Sequence, residues 1–294
     1  MITDSDVETW LREDLGHHDV TNHLPGTTEG RLVAKESGVA AGVDAASAVF
    51  EYLDCSVASA VDDGTSVESG DILLSVTGPT RDVLRGERPA VNVTAHASGI
   101  ATKTRRAVDA VCEVDRRETS NRASGETASR EVSTDVAIAA TRKTTPGLRG
   151  VEKRAVVAGG GDTHRLDLSH MAMVKDNHVA ELGLAGAVEH IAEKTSFATQ
   201  IEVEVEEPAD APRAADAGAN IVLLDNMSPE ECMRAVELLA KADHDDVLTE
   251  ASGGITIETV PAYAETGVDV ISMGSLTHSA AALDLSFRTG ATAD

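Results

Sequence analysis

From residue 136 onward the sequence repeats one unit: a short apolar run, a polar break, then a segment with apolar residues at helical spacing. The runs are Val136-Ala-Ile-Ala-Ala140, Met171-Ala-Met-Val174, Ile201-Glu-Val-Glu-Val205, Ile221-Val-Leu-Leu224, Val247-Leu-Thr249 and Val268-Asp-Val-Ile-Ser272. Strand then helix, repeated, predicts a parallel α/β architecture, because parallel neighbours need long crossovers that helices supply. In such a fold, reactive side chains lie at the carboxyl ends of the strands and on the loops that follow them. That rule selects the candidates below.

The chain before residue 136 reads differently. Ser5 and Glu8 have capping-box spacing ahead of Val7, Trp10 and Leu11, which predicts a short helix. Residues 30–76 alternate short apolar stretches with Gly-containing turns, as in Gly30-Arg-Leu-Val-Ala-Lys35, and predict strands. Residues 81–111 carry helical spacing and predict helices broken near Gly99. Residues 113–135 are almost without apolar side chains and predict a solvated loop, since such a segment buries too little to offset its ordering entropy.

The formal charge is -25 at pH 7, from 50 Asp plus Glu against 25 Lys plus Arg. A surplus of that size repels phosphate backbones, which argues against a nucleic-acid or anionic-membrane binder. Acids spread evenly, with Arg outnumbering Lys and only 2% aromatics, resemble proteins adapted to high salt, where self-repulsion is screened. No run approaches the length of a membrane span, and the start lacks the blocks of a signal peptide, so a cytoplasmic location is expected. Cys55, Cys112 and Cys232 show neither disulfide nor zinc spacing.

Where the acidic background is interrupted, chemistry is expected. Between Arg142 and Lys175 stand seven basic residues and only three acidic ones (Glu152, Asp162, Asp167). Arg142 and Lys143 follow the first apolar run, His164 and Arg165 follow the Gly159-Gly-Gly161 turn, and Lys175 ends the second run. Arg forks match carboxylate and phosphate oxygens, so a concave site lined by these groups suits a small polyanion. Arg149, Lys153 and Arg154 are read instead as partners of nearby acids.

In Ile201-Glu-Val-Glu-Val-Glu206, strict alternation puts Glu202, Glu204 and Glu206 on one face, which is costly unless they meet cations, metal or water. Asp225, ending the next run, would approach Glu204. Two such carboxylates suit Mg²⁺ held together with substrate phosphates. Ala251-Ser-Gly-Gly-Ile255 and Ser272-Met-Gly-Ser-Leu-Thr-His278 place Gly and Ser after late strands, where backbone N–H groups can cradle a phosphate.

These segments carry a resemblance. Glu13-Asp-Leu-Gly-His-His-Asp-Val-Thr21, Gly86-Glu-Arg-Pro-Ala-Val-Asn92, Ser98-Gly-Ile-Ala-Thr102, Thr141-Arg-Lys-Thr-Thr-Pro-Gly-Leu-Arg149, Gly159-Gly-Gly-Asp-Thr-His-Arg165, Val174-Lys-Asp-Asn-His178, the Glu-Val-Glu strand, Leu224-Asp-Asn-Met227, Glu250-Ala-Ser-Gly-Gly-Ile255 and Leu276-Thr-His-Ser279 run nearly end to end. Together they resemble the quinolinate phosphoribosyltransferases, pentosyltransferases that make nicotinate mononucleotide, pyrophosphate and CO₂ from quinolinate and phosphoribosyl pyrophosphate in NAD biosynthesis.

The resemblance implies an N-terminal α/β sandwich over residues 1–98, joined by 280–294, and an incomplete, TIM-like α/β barrel over 99–279 with a polar insertion at 113–135. It implies a homodimer with the active site at the subunit interface, and leaves open hexamers built from dimers. Arg88, Arg142, Lys143, His164, Arg165 and Lys175 would hold quinolinate, Arg88 reaching the partner's site. Glu204 and Asp225 would hold the ribose and Mg²⁺, and act in catalysis with Lys143. Ser252, Gly253, Gly254, Gly274 and His278 would receive the 5-phosphate. The sequence departs from the family where Glu-Arg-Thr is Glu87-Arg-Pro89 and Asn-His-Arg is Thr163-His-Arg165, and its 113–135 segment is longer than usual. The rival readings are a related phosphoribosyltransferase found with molybdate transport, which lacks the lysine at Lys175, and a non-catalytic binding protein, which would be expected to lose Glu204, Asp225 or the basic cluster.

Overall fold

The computed structural model describes residues 2–123 and 136–290. In chain order the elements are α1 (Asp4–Leu15), β1 (Thr27–Ala34), β2 (Gly38–Val39), α2 (Val43–Tyr52), β3 (Ser56–Ala60), β4 (Ser66–Val67), β5 (Ile72–Pro79), α3 (Thr80–Ala123), β6 (Ala137–Ala139), α4 (Arg149–Ala158), β7 (Ala172–Val174), α5 (Asp176–Leu182), α6 (Leu184–Ala192), β8 (Ile201–Val205), α7 (Ala211–Asp216), β9 (Ile221–Asp225), α8 (Pro229–Lys241), β10 (Leu248–Ser252), α9 (Val260–Ala264), β11 (Val270–Ser272), α10 (Ser275–His278) and β12 (Leu285–Thr289). They group into two compact units. One comprises Met1–Arg105, Thr144–Gly160 and Leu276–Asp294, the other Arg106–Lys143 and Gly161–Ser275.

In the first unit an antiparallel sheet runs β12-β1-β5-β3. Its apolar face carries Leu32, Leu74 and Val76, which pack with Phe50 of α2 in a shared buried cluster. The rings of Phe50 and Phe287 stack with centroids 5.4 Å apart. Helix α1 starts two residues earlier than Ser5 suggested, because Thr3 and Asp6 form the reciprocal cap at the same spacing. That start buries Val7 and Leu11.

The break expected near Gly99 is absent. Helix α3 is continuous for 44 residues through Pro89 and Gly99. A Cβ at Gly99 would sit 1.9 Å from the Ala281 carbonyl oxygen, so the glycine serves a close backbone approach rather than a break. The loop expected at 113–135 also begins later: residues 113–123 continue α3, where Val114 is buried and Glu113, Arg116, Arg117 and Glu118 are residue types that favour helix. The remainder of that segment, residues 124–135, lies outside the described residues.

The second unit is the parallel architecture predicted from the repeat. All six apolar runs form strands, in the order β6-β11-β10-β9-β8-β7, every pair parallel. Among the described residues the two ends of this order, β6 and β7, are not paired with each other, so the curl of strands is incomplete. Register decides which side chains share its inner face. Glu204 stands opposite Leu223, and Ser252 opposite both Asp225 and Ser272. On the same face Glu202 stands opposite Ile221, nearer the amino ends than Glu204, and Glu250 stands opposite Leu223, two residues before Ser252. The alternate residues Val203, Leu224, Ala251 and Ile271 are buried on the other face.

Candidate active site

At the carboxyl ends of the second unit's strands, Lys175 and Glu204 form an ion pair through Nζ and Oε2. Lys175 is the N-cap residue of α5, its backbone N–H donating to His178 Nδ1 at 2.9 Å, so the helix start fixes the lysine's origin. Asp225 closes β9. Burial pushes its carboxyl above the usual range, and the Glu204 charge adds to the rise, while Asn226, Lys175 and Lys143 oppose it. Asn226 Nδ2 donates to Asp225 Oδ2 at 2.7 Å.

The next loop presses on this one. Asn226 adopts a left-handed backbone and donates its N–H to the Ser252 carbonyl at 2.8 Å. Gly253 and Gly254 both have positive φ, and a Cβ on Gly253 would meet Asn226 Oδ1 at 2.2 Å. Only glycine fits there, which leaves an open backbone turn beside Asp225. Ser272 Oγ donates to Ser252 Oγ at 2.9 Å, joining the last two strands of the site.

One layer deeper lies a second group. His164 Nε2 is 3.0 Å from Glu250 Oε2 and 3.6 Å from Glu202 Oε1. Burial alone would lower the His164 pKa, but the nearby carboxylates of Glu202 and Glu250 outweigh it and raise it to about 9. Arg165 is buried beside them. Its pKa is lowered by burial and then by Arg142, against the pull of Glu202, Glu250 and Glu204. His164 and Arg165 also line a cavity of about 620 Å³ bounded by strand-start residues Ala137, Ile221 and Leu248. Sequence reasoning put these two residues on the same rim as Lys143 and Lys175; the structure sets them deeper.

His164 links the site to stability. A group whose folded pKa exceeds its unfolded value contributes stability fully below the unfolded pKa and loses it as pH rises through the folded one. With 6.5 as the ordinary value and about 9 here, the contribution of His164 fades across that window. The melting temperature is therefore expected to fall between pH 6.5 and 9, and less steeply in His164→Asn; parallel melting curves against pH decide it.

Of the other expected site residues, Arg88 and His278 lie in the first unit and Gly274 in the second. Arg88 is exposed on α3, 3.7 Å from Glu87, and Pro89 leaves the helix unbroken around it. His278 ends α10 with Nδ1 2.6 Å from Ser279 Oγ. Gly274 precedes α10 at the end of the second unit. Arg154 pairs with Asp44 at 3.3 Å, in line with its reading as a structural cation. Sequence reasoning missed Glu152: fully buried, it lies 2.8 Å from His96 Nε2 and accepts the Thr145 N–H at 3.1 Å, pinning the turn that directly follows Lys143. It also passed over Glu250, visible only as the residue two positions before the Ser-Gly-Gly loop.

Among the described residues no helix is long and apolar enough to cross a membrane. The model of the quinolinate phosphoribosyl transferase N-terminal domain matches residues 19–98, and that of the C-terminal domain residues 119–288. A relative from Methanothermobacter thermautotrophicus, the probable nicotinate-nucleotide pyrophosphorylase [carboxylating], is 42% identical over 96% of this chain and 97% of its own. The human nicotinate-nucleotide pyrophosphorylase [carboxylating] is 39% identical over 96% and 90%. Among solved structures, NadC from Streptococcus pyogenes superposes with a TM-score of 0.84 at 35% identity, covering 99% of this chain and 98% of that one. Both the strand-end carboxylates with their cations and this end-to-end similarity lead to one assignment: the chain belongs to the quinolinate phosphoribosyltransferase family.

Proposed function

We propose that the chain transfers the phosphoribosyl group of phosphoribosyl pyrophosphate to quinolinate, forming nicotinate mononucleotide, pyrophosphate and CO₂ in NAD biosynthesis. The observation that carries this reading is the gathering of Arg142, Lys143, Arg165 and Lys175 around Glu204 and Asp225 in a chain of formal charge -25. A chain with this charge repels a dianion overall, and the cluster supplies a local countercharge for one.

In the proposed reaction the quinolinate nitrogen attacks the anomeric carbon as the pyrophosphate C–O bond breaks. Positive charge develops on the ribose, and the carboxylates of Glu204 and Asp225 favour it. Arg142, Lys143, His164, Arg165 and Lys175 orient the acceptor's carboxylates, with Arg88 supplied by a partner in a homodimer. The quaternary ring nitrogen then accepts the electrons left when the 2-carboxylate departs as CO₂, and C2 takes up a proton. Ser252, Gly253, Gly254, Gly274 and His278 receive the 5-phosphate, consistent with the turn that Gly253 and Gly254 form. No protein nucleophile is required.

The donor set suits Mg²⁺. Burial and the Glu204 charge raise the cost of ionising Asp225, and a divalent cation shared with substrate oxygens would relieve it. When bound, Mg²⁺ supplies charge neutralisation for the leaving pyrophosphate. Action in the cytoplasm belongs to the same reading, as does work in concentrated salt, which the acidic, aromatic-poor composition supports. The test is acceptor choice: in Mg²⁺ and multimolar KCl, quinolinate should be consumed with phosphoribosyl pyrophosphate and nicotinate should not. Equal use of nicotinate would reject the assignment.

A further inference from the structure

The deeper layer of the parallel sheet contains charges for which the reaction itself has no step. Glu202 is fully buried and Glu250 is 2% exposed. Among the described residues, neither carboxylate oxygen of Glu202 has a hydrogen-bond partner within ordinary reach, nor has Glu250 Oε1. Two buried carboxylates are costly unless a cation stands between them. His164 stands there, on β-sheet-facing geometry fixed from behind: its backbone is left-handed (φ 51°) and its N–H donates to Asp162 Oδ1 at 2.6 Å. A non-glycine residue keeps that conformation only where its surroundings over-determine it.

Two donors in the same layer are left open. His164 Nδ1 and Arg165 Nε are both buried and, among the described residues, have no hydrogen-bond partner. Native interiors rarely leave such donors unmatched, and an anionic ligand is one way to complete them.

We propose that Glu250, backed by Glu202, is a positioning residue that holds the His164 ring through Nε2 and so presents Nδ1, beside Arg165 Nε, to a carboxylate of the acceptor. This rests on the reading of the chain as a quinolinate phosphoribosyltransferase. A neutral imidazole has a single N–H, which the bond to Glu250 would occupy; an imidazolium has two, one for Glu250 and one for the ligand. The charged groups facing the ring are Glu202 from β8, Glu250 from β10 and the adjacent Arg165, and their balance favours the cation. Glu250 touches no substrate in this arrangement. It acts through His164.

The test combines kinetics with histidine NMR on the full-length enzyme in high KCl, the His164 signal being identified by its loss in His164→Asn. Glu250→Gln should raise KM for quinolinate about tenfold or more, the value of one charge-assisted hydrogen bond, with KM for phosphoribosyl pyrophosphate unchanged. At pH 8 the His164 ring nitrogens should read as imidazolium in the wild type and move toward the neutral form in the variant. Should Glu250→Gln fail to fold, Glu202→Gln carries both readouts. The proposal is overturned if both KM values stay put or rise together, if wild-type His164 is neutral at pH 8, or if the purified enzyme holds a stoichiometric divalent ion on that ring. A wild type that forms no nicotinate mononucleotide would reject the functional reading alone, since the ring's protonation and its dependence on Glu250 are still read by NMR.

Discussion

Replacing Lys143 by alanine is expected to lower kcat/KM for quinolinate by roughly a thousandfold, comparable to the loss of one preorganised electrostatic group, while the melting temperature stays unchanged. Lys143 follows β6 at the carboxyl end of the sheet, its residue is exposed, and its charge acts on Asp225. Exposure means that truncation removes no buried packing, so any loss belongs to the site. The chain's acidity sharpens the effect: against a formal charge of -25, the local potential at the strand ends depends on a handful of side chains. Steady-state kinetics with a thermal melt decide the matter. A near-normal rate would remove Lys143 from the site.

Asp225→Asn is expected to separate stability from activity. Burial and the nearby Glu204 raise the Asp225 pKa in the folded state. A carboxyl raised in this way favours the fold below its unfolded pKa and loses that contribution as pH rises through the folded value, so at neutral pH the ionised group disfavours the fold. A neutral amide removes this cost. The variant should melt at the same temperature or higher, yet show kcat reduced by roughly a hundredfold or more and need higher Mg²⁺ for half-maximal activity. A fall in melting temperature with kcat and Mg²⁺ dependence intact would give Asp225 a structural role only.

Much of this arrangement was legible before the fold was known, and the reasons are physical. Six strands of the second unit were visible because each is a short apolar run bounded by polar residues, and their parallel pairing followed from the helices between them. Strand-end placement then singled out Lys175, Glu204, Asp225 and Ser252 without knowledge of register. The cost of three carboxylates on one face also flagged Glu202. What sequence could not disclose was depth. That Glu202 meets Glu250 and His164 depends on β8 and β10 being held apart by β9 at one particular register, a fact with no local signature.

The misreadings in the first half have equally specific causes. Gly99 looked like a helix break because glycine has low helix propensity, but its role is to let α3 touch the Ala281 backbone 182 positions later. The end of α3 was read as loop because it is poor in apolar residues, although Val114 is buried there and its Arg and Glu residues favour helix. Thr3 outranked Ser5 as a cap because its side chain and that of Asp6 satisfy each other's backbone N–H groups. Glu152 left no trace at all: a buried glutamate within Gly150-Val-Glu-Lys153 reads as one face of an ordinary surface helix until His96 and Thr145 are seen around it.

The central claim is that this chain joins quinolinate to phosphoribose and discards its 2-carboxylate. Quinolinate labelled at that carboxylate, incubated with phosphoribosyl pyrophosphate, Mg²⁺ and the purified protein in multimolar KCl, tests it most directly. The account predicts labelled CO₂ and unlabelled nicotinate mononucleotide in equal amounts, both dependent on phosphoribosyl pyrophosphate. A folded protein that releases neither, or that forms a nucleotide still carrying the label, would contradict it.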